Sequence, residues 1–112
     1  MEDSILASVR NALGIEHYSS VFDNEIVPLI NTYLMTLEQL GVGQKAFSIA
    51  DESLTWSSFL NNKEQYEGAK TYVVTRVRLA FDPPASAHVA NALTDLYKEL
   101  EWRLSVQKDA EE

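Results

Sequence analysis

Apolar positions recur three and four residues apart along most of the chain, and glycine or proline interrupts them. Ile5, Val9, Ala12 and Leu13 lie on one side of a first short helix, which Ser4 can cap and Gly14 can end. A loop from Ile15 to Ser20 follows. The pattern then predicts a long helix from about Val21 to Leu40, with Ser20 or Asp23 near its cap. Ile26, Ile30, Tyr33, Leu37 and Leu40 form its stripe, and Phe22, Leu29 and Leu34 widen it, so much of this helix should be covered. Pro28 falls near the first turn, where a missing N–H costs least, so a bend is expected and not a break. Gly41-Val42-Gly43 stops the helix.

Residues 44–63 follow neither period well. "KAFSIA" alternates weakly, as a short strand would. "TWSSFL" fits one helical turn that carries Trp56 and Phe59 into the core, and "NNK" reads as a loop. A third long pattern runs from about Glu64 to Phe81. Its stripe is Ala69, Val73, Val77 and Ala80, flanked by Tyr66, Tyr72 and Leu79. Pro83 disfavours helix at Asp82, Pro84 extends the break, and Ser86 can cap a last helix. That helix runs to about Val106, roughly 30 Å at ~1.5 Å per residue. Residues 107–112 read as a mobile polar tail. The expectation is a single all-α domain over residues 1–112. It is a small bundle of about four helices with an irregular middle segment that could hold one short strand.

The last helix carries more than a core stripe. At ~100° per residue, Val89, Leu96, Tyr97, Leu100 and Leu104 fall within about 60° of Leu93. Trp102 stands about 180° away, amid Asp95, Lys98, Glu99, Glu101 and Ser105, and Val106 follows one turn later. Either residues 44–63 fold over Trp102, or another subunit or partner covers it, since Trp and Arg are enriched at interface centres. Arg76 poses a similar choice, because it falls inside the apolar arc of its helix. It either snorkels to water along its stem or pairs with a carboxylate across a helix pair or subunit boundary.

Charge narrows the function classes. Seventeen acidic against nine basic residues give a formal net charge of −8, which argues against gripping a phosphate backbone. No cysteine is present, which removes disulfides and thiolate metal sites. The acidic start, Met-Glu-Asp-Ser, is unlike a secretory signal, and no apolar run approaches the ~20 residues of a membrane span. The reading is a soluble protein made inside the cell. His17 and His88 stand alone, outside any metal-binding spacing, and no G-x-S-x-G, Walker lysine or glycine-rich phosphate loop occurs. No catalytic constellation emerges, and the expectation is a non-enzyme with no cofactor and no metal.

The run "LAFDPP…S" followed by "KELEWRL" resembles the small head–tail connector proteins of tailed bacteriophages and prophages, also called adaptor or head-completion proteins. "FDNEIVPLIN", "LEQLGVG" and "TW..FL" fit the same pattern in the same order, so the resemblance spans nearly the whole chain. Two departures stand out. Leu29 occupies a position where members often carry histidine, and Gln44 one where they often carry proline. The resemblance implies a structural virion protein of the neck, assembled in the host bacterial cytoplasm. It would dock under the portal protein as a homo-oligomeric ring, commonly of twelve subunits, and meet a tail-proximal neck or tail-completion protein. DNA would pass through without sequence-specific binding. By position, Asp82, Pro83 and Pro84 would set the angle between the last two helices. Lys98 to Leu104 would belong to the helix that packs in the ring or against the portal. Trp102, Val106, Arg76, Glu99 and Arg103 are thus the candidate subunit or portal interface. A free ring and a monomer that assembles only on the portal both fit. The competing readings are a small all-α binding or regulatory module and an enzyme with an unrecognised site.

Overall fold

The computed structural model describes residues 4–15, 20–60 and 66–111, with side chains beyond Val106 and that of Tyr66 excepted. Among these residues it holds five helices and no strand: α1 (Ile5–Ala12), α2 (Asp23–Gln39), α3 (Trp56–Phe59), α4 (Tyr66–Phe81) and α5 (Ala87–Glu111). The all-α expectation holds. The extent expected for the domain includes residues outside this set. His17 and the "NNK" loop also lie outside the described residues.

Ser4 caps α1, its hydroxyl accepting from the Ala7 N–H at 3.3 Å. The buried face is Ile5, Leu6, Val9 and Arg10, so it is rotated from the expected stripe. Ala12 is exposed, because it sits at the edge of that face in the last turn. Both α1 and α2 end in the same way. Gly14 and Gly41 take positive φ, and the Ile15 and Val42 N–H groups reach back to the Arg10 and Leu37 carbonyls at 2.9 and 2.8 Å. This is the two-bond termination that a left-handed glycine makes possible.

α2 starts at Asp23, two residues later than expected, with Phe22 at the cap position and no side-chain cap bond. Ile26, Ile30, Leu34 and Leu37 are buried, while Leu29, Tyr33 and Leu40 are half-buried. The helix runs unbroken through Pro28. Phe22 is not covered as expected. Its exposed ring meets Phe81 edge-on at 5.5 Å, where the start of α2 passes the end of α4.

The short strand that "KAFSIA" could have formed is absent, and the segment is loop. Polar side chains hold it in place of a ladder. The Asn31 amide donates to the Ile49 carbonyl and accepts from the Ile49 N–H, at 3.0 and 2.8 Å. Glu38 accepts from the Ala46 N–H at 3.0 Å. Among the described residues the one β-type contact is an isolated bridge between Ser4 and Thr55. Thr55 then caps α3, which buries Trp56 and Phe59 as its sequence predicts. The Trp56 indole N–H donates to Ser8 Oγ at 3.2 Å.

α4 is the hub. It packs against α1, α2, α3 and α5. Ala69, Tyr72, Val73 and Val77 are buried as expected, but Ala80 near the helix end is exposed. Thr75 is also buried, which the apolar pattern did not mark. Gly68 lets α5 approach closely: a Cβ there would lie 3.2 Å from Leu104 Cδ2.

Candidate assembly surface

After Phe81 the chain breaks at Asp82-Pro83-Pro84, as expected, and Ser86 restarts it. The Ser86 hydroxyl accepts from the Val89 N–H at 3.3 Å, and its carbonyl from the Ala90 N–H at 3.0 Å. The Asp82 N–H closes the preceding helix on the Arg78 carbonyl at 2.9 Å. α5 then continues to Glu111, beyond the expected end near Val106. The mobility expected of residues 107–112 concerns side chains outside the described residues.

The stripe expected on α5 is only partly used. Leu104 is buried, and Leu93, Tyr97 and Leu100 are half-buried. Val89 and Leu96 are exposed, contrary to expectation. They sit at the edge of the stripe, and α4 is the one helix against which α5 packs extensively, so nothing closes over that edge.

Trp102 is 65% exposed and Val106 43% exposed. Residues 44–60 therefore do not fold over Trp102. They lie against the core cluster instead, which Ile49, Trp56, Phe59 and Leu60 enter. At ~100° per residue Trp102 stands on the far side of α5 from Leu104. Beside it the Arg103 Nε donates to Glu99 at 2.7 Å across one exposed helical turn. Such a pair adds little stability on an exposed helix.

Arg76 is placed differently. It pairs with Glu101 of the same chain at 3.1 Å, with its side chain 24% exposed. Its guanidinium lies 4.5 Å from the Tyr33 ring centre and 4.2 Å from that of Tyr97, so α2 and α5 sandwich it. It also donates to the Tyr72 hydroxyl at 2.9 Å, and that hydroxyl donates to Glu101 at 2.7 Å. Burial first, then the bond to Glu101, pushes the Tyr72 phenol well above its ordinary pKa. It therefore stays protonated as the donor. Of the two readings of Arg76, pairing across a helix pair is the one realised.

Sequence reasoning missed a second charged cluster. The Arg10 side chain is 3% exposed and binds Asp23 through two contacts, at 3.1 and 2.5 Å, and Glu52 through a third. The Asp23 bond raises the guanidinium pKa, burial opposes this, and Glu52 adds to the rise. The cluster ties α1 to the start of α2 and to the 50–53 turn. The available signal was the spacing of Leu6 and Arg10, which puts a charge on the buried face of a short helix and so requires an acidic partner.

Among the described residues no group of three or more His, Asp or Glu side chains is placed to hold a metal ion. No buried side-chain N or O atom there lacks a partner. What stands out is the outer side of α5, where Trp102 and Val106 face solvent while the polar network on its inner side is satisfied within the chain.

A family model described as phage connector protein matches residues 5–111, from the first residue of α1 to the last of α5. No curated protein and no solved structure matches the chain. The match covers the α3 turn, the Asp82-Pro83-Pro84 break and the whole of α5, and the chain belongs to the phage connector protein family.

Proposed function

We propose that this chain docks under the portal as a homo-oligomeric ring that joins the DNA-filled head to the tail, with the outer side of α5 as a contact surface. Family membership supports the coarser statement, a structural role in the phage neck. The observation that carries the finer one is Trp102, exposed on a long helix beside Glu99 and Arg103, which pair with each other, and Glu101, which pairs with Arg76. A ring subunit needs a core and also surfaces for its neighbours, and head-to-tail contacts close when the rotation permits. A tryptophan at such a contact supplies a large apolar area with few rotamers to lose. Arg76 leaves the interface set, because its partner is Glu101 of its own chain.

The net charge of −8 fits a subunit past which DNA must slide without capture. The role is structural and non-catalytic. Among the described residues no helix is long and apolar enough to cross a membrane. Sedimentation of the purified protein with portal oligomers tests the reading, followed by electron microscopy of the bound fraction. The reading expects a ring on the portal end. Absence of binding at any ratio overturns it and favours a binding module with a different partner.

A further inference from the structure

We propose that α5 is a hinged arm: it can leave α4 as a unit, pivoting at residues 82–86, while α1 to α4 stay folded. Three observations lead there. First, Leu104 is the single described α5 side chain among the buried apolar residues, whereas α1, α2, α3 and α4 each contribute two or more. The core closes almost without α5. Second, the rest of the α4–α5 seam is polar or half-open. Tyr72, Arg76 and Glu101 form its centre, with Arg76 lying against Tyr97, and Leu93 and Leu100 are only half-buried. A contact of this kind opens more readily than apolar packing of the same length, because the freed groups find water partners. Third, among the described residues Asp82 and Ser86 in the link hydrogen-bond only to the two helices they join, and not to α1, α2 or α3.

The Tyr72–Arg76–Glu101 network then acts as the latch. It supplies side-chain hydrogen bonds across the seam, and its Glu101 directly precedes Trp102 on α5. Opening would let the Trp102 surface turn toward a partner without unfolding the rest. This holds whichever partner Trp102 meets, so it does not rest on the ring reading.

Native-state hydrogen exchange on the full chain tests the proposal, with Glu101→Gln as the latch variant and Arg103→Gln as a control on the same helix. The expected result is a common, low protection across Tyr97 to Leu104 and high protection in the buried parts of α2 and α4. Glu101→Gln should speed exchange in α5 roughly tenfold and leave α2 unchanged, while Arg103→Gln alters neither. Equal protection of α5 and α2 would overturn the arm. So would a smooth gradient from Glu111 inward, which is fraying. Unchanged α5 exchange in Glu101→Gln would overturn the latch.

Discussion

Gly43 illustrates how tightly single positions are set. Its φ is +86°, and a Cβ would lie 2.3 Å from the Phe59 ring, whose backbone carbonyl also accepts from the Gln44 N–H at 2.9 Å. Gly43→Ala meets both a left-handed backbone and a buried ring, so it should cost about 2–4 kcal/mol in urea denaturation. Arg10 should matter comparably. Arg10→Met leaves Asp23 and Glu52 without their cation, and both can reach water, so a loss of about 2–3 kcal/mol is expected. Arg103→Gln removes a solvent-exposed pair and should change stability by less than ~0.5 kcal/mol. Tyr72 gives a pH signature. Its folded pKa is raised above the ordinary 10.0, so its contribution is whole below that pH. It is lost as pH climbs, when the unfolded chain sheds a proton that the folded chain keeps. Stability above about pH 10 should fall more steeply in the wild type than in Tyr72→Phe, as read from denaturant midpoints against pH.

Elements differ in how legible they were. The caps of α1 and α5, the α3 turn and the Asp82-Pro83-Pro84 break follow from local chemistry: a serine or threonine oxygen on free N–H groups, and prolines that exclude the preceding residue from helix. The buried stripes of α2 and α4 followed from period. α5 was misread at Val89 and Leu96, because a wheel gives the direction of a side chain and not whether another element lies there. The loop over α2 was misread for a related reason. Its weak alternation suggested a strand, but pairing requires a neighbouring strand, and Asn31 supplies the backbone bonds to Ile49 instead. The spacing of Leu6 and Arg10 could have flagged a buried cation, but not which acids pair with it, because they are 13 and 42 residues away. The α4–α5 seam can be tested as an element. Leu104→Ala should cost about 2–4 kcal/mol if α5 unfolds with the core, and less if the arm merely loosens. Calorimetric and helix-signal transitions that separate in this variant would identify the second case.

At the scale of the molecule, the chain divides its apolar side chains between the core and the surface. One set closes the core around α4. Of the exposed set, Trp102 and Val106 share the outside of α5, and nothing among the described residues covers them. That division explains why the folded monomer and the assembled neck make separate demands on the sequence, and it keeps stability and assembly independently testable. The acidic balance belongs to the same scale. On the proposed ring reading, neutralising acidic residues that face the channel should slow DNA ejection, measured as release kinetics from filled heads. The most direct measurement is the amount of protein bound per portal oligomer, wild type against Trp102→Ala, with denaturation midpoints taken on the same samples. The account predicts that the variant binds at least about tenfold more weakly while its stability shifts by less than ~0.5 kcal/mol. Undiminished binding by a folded Trp102→Ala would contradict it.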